Sequence, residues 1–204
     1  MKKTLFLIIY FTSTFLSYSN NLNLINKVEQ YFNNIETLSA EFNQYSLSKD
    51  QKFSTGKLYI SKPGMLKFDY LTPKRLTIIL RGGNIMYHNH ELDEISYIKQ
   101  DNYFFKILSE KNIKLNNRVN TISLNNNNIH MYIEKKIDDK ITKINMIFLQ
   151  DPIQLKEVRI KNNDTEDYTL QFKNIKYNQK FDSRFFSFQH PKFYSAPYTH
   201  EHKN

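Results

Sequence analysis

Apolar positions recur along this chain with two periods, and the change from one to the other outlines its architecture. Between Leu22 and Leu38 the residues Ile25, Val28, Phe32 and Ile35 fall at three- and four-residue steps, which is the spacing of one helix face. From Ala40 the period drops to two, the signature of half-buried strands. Alternating runs bounded by turn residues predict strands over Ala40–Ser46, Phe53–Ser61, Met65–Tyr70, Leu76–Arg81, Asn84–Asn89 and Glu94–Lys99. A second series follows over Thr121–Leu124, His130–Lys136, Lys143–Leu149, Lys156–Lys161, Tyr168–Tyr177 and Phe185–Phe188. Between the two series, Asn102–Glu110 carries Tyr103, Phe104, Ile107 and Leu108 at helical spacing and predicts a short helix. The LNNNN tract at Leu124–Asn128 predicts a polar loop. Many short strands in meander order predict a mainly β fold, a barrel or strongly curled antiparallel sheet on which the first helix lies.

The most informative stretch is Gly56–Tyr70, GKLYISKPGMLKFDY. Leu58, Ile60 and Lys62 share one face of its first strand, and Leu66, Phe68 and Tyr70 one face of its second. Pro63 and Gly64 between them suit the fixed and the positive φ of a type II turn. Lys62 therefore ends an apolar row as a lone cation. A curled sheet closed only by helices can leave its concave face partly unfilled, and such a cavity suits acyl chains. Its candidate lining is Leu58, Ile60, Leu66, Phe68 and Tyr70, joined by Ile78 and Leu80 from LTIIL, a strand apolar on both faces. Ile25, Val28 and Phe32 on the first helix and Phe104, Ile107 and Leu108 on the second would cover it.

With Phe42-x-Gln44 upstream, TPKRLTIILRGGNIMYHN downstream and DPIQLKEVRI at Asp151–Ile160, the chain resembles the periplasmic outer-membrane lipoprotein carrier proteins, the LolA-type family, from roughly Leu22 to Pro191. The resemblance implies a half-open antiparallel β-barrel whose N-terminal and mid-chain helices form a lid over an apolar cavity. It implies a non-enzymatic, cofactor-free, monomeric carrier of acylated lipoproteins. An ATP-driven inner-membrane transporter would load it and an outer-membrane receptor would unload it. From the residues alone, the mid-chain helix reads equally as a lid or as an ordinary plug of the barrel end. The family places Arg where this chain has Lys62. As a lid latch Lys62 would donate hydrogen bonds to helix-end carbonyls, more loosely than the five-donor fork of Arg; the alternative is a solvated turn lysine.

The remaining features narrow the class. Lys2 and Lys3, the apolar run Thr4–Leu16 and the small residues at Ser17–Ser19 read as a secretory signal peptide over 1–19, followed by one domain over 20–193 and a tail over 194–204. This address implies the periplasm. The chain has no cysteine, which excludes disulfides, thiolate metal sites and acylation of the chain on an N-terminal cysteine. Its formal charge of +9 sets five Arg and 24 Lys against 20 Asp and Glu. Those lysines are spread along the chain instead of clustering with stacking aromatics, which argues against nucleic acid. They leave one rival reading, a periplasmic binding or scaffold module for anionic headgroups or polymer, separable from acyl burial by its steep salt dependence.

All four glycines fall between Gly56 and Gly83, so neither a P-loop nor a dinucleotide fingerprint is present. His88-x-His90-Glu91 with Asp93 reads as a solvated hairpin tip in preference to a metal site, and His200-Glu201-His202 as part of the tail. Asp69, on the polar face between Phe68 and Tyr70, reads as a surface charge in preference to a general acid.

Overall fold

The computed structural model describes residues 21–46, 52–99, 102–137, 139–162 and 167–187; the leader at 1–19 and the tail at 194–204 lie outside them. Eleven antiparallel strands form one sheet. They are β1 (Thr37–Ser46), β2 (Phe53–Ser61), β3 (Met65–Thr72), β4 (Leu76–Arg81), β5 (Asn84–Asn89), β6 (Glu94–Lys99), β7 (Thr121–Asn125), β8 (Asn128–Ile137), β9 (Lys140–Gln150), β10 (Ile153–Asn162) and β11 (Tyr168–Tyr177). The order is β6-β5-β4-β3-β2-β1-β11-β10-β9-β8-β7. Two meanders are thus joined along β1 and β11, from Leu38↔Tyr177 to Ser46↔Tyr168. No ladder closes β6 onto β7, which leaves a curled, half-open sheet.

Helix α1 covers residues 21–33, and α2 (Tyr103–Ser109) lies in the connection between the two edge strands. Asn102 caps α2, its side chain accepting the Phe105 N–H. The period-two pattern now has a physical meaning. Leu38, Ala40 and Phe42 of β1, Leu58 and Ile60 of β2, and Leu66 and Phe68 of β3 are all buried, and they merge with both helices into one core. The second meander contributes Met131, Ile133, Met146, Phe148 and Val158 to the same core.

Three local expectations are corrected. The first helix stops at residue 33 and Leu38 belongs to β1; Ile35 and Leu38 still bury into the same core, which is why the helical spacing continues past the helix end. The stretch predicted as strand Phe185–Phe188 is instead a 3-10 turn over Ser183–Phe186, because the Asp182 carboxylate accepts the Arg184 N–H and caps it; Phe188 lies outside the described residues. The LNNNN tract is a tight hairpin in which only Asn126 and Asn127, at φ 47° and 59°, leave the ladder.

The 3-10 turn packs on β3 and β4 over the face opposite the core. The Phe185 ring lies 4.8 Å from that of Tyr59 and under the Lys67 ammonium at 4.5 Å. This resolves the two-faced strand LTIIL: Ile78 and Leu80 join the main core, while Ile79 is buried outside it.

Candidate functional site

The floor of the site is the concave face of β2 to β4. Cross-strand partners stack there as Leu58↔Phe68, Ile60↔Leu66, Leu66↔Leu80 and Phe68↔Ile78. Phe68 is 1% exposed and its ring meets Phe42 at 5.4 Å, Phe105 at 5.4 Å and Tyr70 at 6.3 Å. Gly56 is needed for this packing, since a Cβ there would overlap the Phe42 ring and the Asp69 carbonyl. Tyr70 ends the row half-buried, its hydroxyl donating to Gln44 Oε1 at 2.8 Å. Phe42 and Gln44 of the Phe-x-Gln motif thus both grip the end of this row.

The roof comes from α1 and α2. Ile25, Val28 and Phe32 and Phe104, Ile107 and Leu108 are all buried against the floor, together with Phe105, Ile113 and Leu115, which the periodicity did not single out. Between roof and floor remains an apolar cavity of about 20 Å³, bordered by Leu58, Ile60, Lys62, Phe32 and Leu108. That is room for about one water-sized sphere. Any larger ligand requires the roof to move.

Polar contacts hold the roof at a few points, and one turn carries two of them. The Lys62 ammonium donates to the Phe32 carbonyl at the end of α1, at 2.6 Å, and lies 5.6 Å from the Phe32 ring. Two residues on, the Gly64 N–H donates to the Ser109 carbonyl at the end of α2, at 2.9 Å. The Lys62–Pro63 peptide is cis, so this connection is not the predicted type II turn, although Gly64 keeps a positive φ of 74°. The two roof segments are also bound to each other. Asn33 donates to the Ile113 carbonyl at 3.1 Å, and Glu29 accepts from the Leu115 N–H at 2.9 Å and from Lys114 at 3.0 Å. Burial pushes the Glu29 carboxyl up, but these donors outweigh it and hold it below its ordinary value. At the other edge of α1, the Tyr31 hydroxyl accepts the Leu155 N–H at 3.1 Å and meets the Tyr177 hydroxyl at 3.3 Å.

Burial pulls Lys62 down to about 8, against the opposing pull of Glu110. An opened or unfolded chain therefore holds more protons than the closed one between about pH 8 and 10.5, so closure strengthens as pH rises through that window. A hydrogen bond from a charged donor is worth about 1.5–3 kcal/mol, and burial already offsets part of it. Lys62→Leu should thus raise the open population at the lower end of that range, about tenfold. Amide protection over α1, whose end Lys62 holds, checks this. The variant should lower protection, and Lys62→Arg should raise it and abolish its pH dependence above pH 8. Equal protection across the three proteins would make Lys62 a turn residue only.

One histidine, His88, is placed differently from the sequence expectation, while His90 is exposed in the turn as expected. His88 is 7% exposed, its Nε2 3.3 Å from Asp93 Oδ1 and its ring 4.0 Å from that of His90. It is therefore not a solvated tip residue: it sits within β5 opposite Thr77, against the His90 ring and Asp93. Asp69 pairs with Lys67 at 3.1 Å and accepts from Thr77 at 2.9 Å. Among the described residues no group of three or more His, Cys, Asp or Glu side chains is placed to hold a metal ion; His200–His202 lie outside them.

A half-open sheet with its concave apolar face roofed by two helices has known counterparts. The family model of the outer membrane lipoprotein carrier protein LolA matches residues 33–189. The chain belongs to the LolA family. A curated relative, the outer-membrane lipoprotein carrier protein of Methylococcus capsulatus, is 26% identical over 73 residues, which is 34% of this chain and 35% of the relative. The match thus spans about a third of that protein's length. Two solved structures share the fold. An uncharacterized conserved protein from Thermus thermophilus has a TM-score of 0.52 at 8% identity, over 84% of this chain and 94% of that one. A DUF1329 family protein from Desulfovibrio piger has 0.51 at 6% identity, over 80% and 94%.

Proposed function

We propose that this LolA-family chain is a periplasmic carrier. It takes up the acyl chains of lipoproteins released from the inner membrane and delivers them to an outer-membrane receptor. The observation that carries the reading is the apolar concave face whose roof is joined to the sheet by packing, by two hydrogen bonds from one turn and by the Tyr31–Leu155 bond. Such a roof can leave without stranding buried charge beneath it.

The energetics require that mobility. Burying a methylene is worth about 0.8 kcal/mol, so a chain of about 16 carbons gains on the order of 12 kcal/mol in any apolar site and loses a similar amount on leaving a bilayer. Transfer is nearly balanced, and the carrier must be able to release. When the roof swings away, the side chains of α1 and α2 are replaced by acyl chain on the same floor. The free energy of reclosing then opposes binding and helps release. Loading by an ATP-driven transporter and unloading at a receptor fit this cycle, and no reactive group is needed.

Depletion in the source cell tests the role. Outer-membrane lipoproteins should accumulate in the inner membrane, read by membrane fractionation and immunoblotting. Unaltered sorting after complete depletion would exclude the role.

A further inference from the structure

Beside the roof lies a second concavity, a cleft of about 710 Å³ walled by α2 on one side and by the Pro63–Gly64 turn, Arg118 and Lys135 of β8 on the other. Its chemistry differs from that of the rest of the surface. Lys106, Lys111, Arg118 and Lys135 line it against the single carboxylate of Glu110. Arg118 clasps that carboxylate with two bonds, at 2.7 and 2.9 Å. The carboxylate is thereby held below its ordinary value, chiefly by Arg118, and stays charged. The other three cations form no ion pair among the described residues. Lys135 instead lies 5.8 Å from the Tyr103 ring. Two other large clefts are less one-sided. That beside α1 carries Lys27 and Asp151, and that over β1 and β2 carries Lys57 and Lys176 with Glu41.

A cleft with three unpaired ammonium groups, an Arg, and the neutral donor Asn102 suits an anion with several acceptor oxygens. We propose that this cleft binds the phosphodiester headgroup of an anionic phospholipid, docking the carrier on a bilayer with its roof facing the lipid. This rests on the carrier reading, which requires the roof to open where acyl chains emerge. The cleft shares α2 with that roof, so headgroup contacts are made within one helix of the opening. Tyr103 on the cleft wall is of the residue type that settles at a membrane–water interface.

The test is cosedimentation of the purified full chain with vesicles of pure phosphatidylcholine and with vesicles containing phosphatidylglycerol. The chain should bind the second and not the first. Lys106→Gln with Lys135→Gln should weaken binding by about 10- to 30-fold, following the contribution of two lysines at an anionic surface. Lys57→Gln with Lys176→Gln, the same change of charge on another cleft, should alter it less than about twofold, since the effect is local on the scale of a Debye length. Equal weakening in both pairs, or no preference for phosphatidylglycerol, overturns the assignment. So does inorganic phosphate shifting the Lys106 and Lys135 amide signals while vesicles remain unbound, which would make the cleft a site for free anions. Uptake of a fluorescent acyl probe is measured on the same proteins and should be equal in all. Its absence from the unaltered chain would count against the carrier reading, whereas probe uptake without cleft-dependent docking would count against this inference alone.

Discussion

Phe68→Ala is expected to lower the unfolding free energy by about 3–5 kcal/mol, the cost of deleting a large aromatic from a packed interior. The ring is 1% exposed and bounded by Phe42, Phe105 and Tyr70, so its neighbours cannot collapse into the space without losing contacts of their own. Against a typical total of about 5–15 kcal/mol, the variant should fold with little margin. Its neighbour Lys67 points to the other face, with one ion pair and one ring contact, and Lys67→Ala should cost less than about 1 kcal/mol. Urea unfolding of both measures the difference. The carrier reading adds a second expectation: the void left in Phe68→Ala should admit a small apolar probe that the unaltered closed form, with its cavity of about 20 Å³, excludes. Comparable costs for Phe68 and Lys67 would contradict the facing of the whole strand.

The second large effect concerns the far edge of α1. Leu155 sits beside a bulge in β10, and β11 pairs only with Glu157–Ile160, so the Leu155 N–H finds its partner in the Tyr31 hydroxyl instead of a strand. Tyr31→Phe removes that acceptor while keeping the ring contacts to Phe32 and Phe148. Leaving a buried N–H without its acceptor costs about 1–3 kcal/mol. At the middle of that range, amide protection over α1 should fall by about 30-fold. A Tyr177→Phe variant should have a smaller effect, because Tyr177 touches Tyr31 but leaves the Leu155 bond in place. If Tyr31→Phe changes nothing in α1, the Tyr31–Leu155 bond does not hold the helix.

Much of this arrangement is legible in the residues. Alternation assigns the facing of Leu58, Ile60, Leu66 and Phe68 because a strand with one buried face has only one register that hides its apolar row. The spacing of Tyr103, Phe104, Ile107 and Leu108 likewise separates α2 from the strands around it. What stays hidden depends on long-range pairing. Glu29 and Asn33 look like ordinary polar positions of α1, and only the fold brings them to Ile113 and Leu115. The cationic cleft is invisible for the same reason: Lys106, Arg118 and Lys135 lie far apart in sequence and converge only when β8 returns beside α2. The stretch from Phe185, expected as a strand to Phe188, misleads because a single Asx cap at Asp182 outweighs its apolar pattern. The free space in the cavity is not encoded in any pattern of types, since it depends on how the roof side chains fill the concavity.

The central claim is that the roof leaves the floor when an acyl chain enters. The most direct measurement is titration of the purified chain with a fluorescent acyl probe while amide exchange is followed over residues 22–33 and 103–109. The account predicts saturable binding of the probe accompanied by faster exchange in both helices, while the strand amides of Leu58–Ile60 and Leu66–Phe68 keep their protection. Saturable binding that leaves both helices as protected as in the empty protein would contradict it.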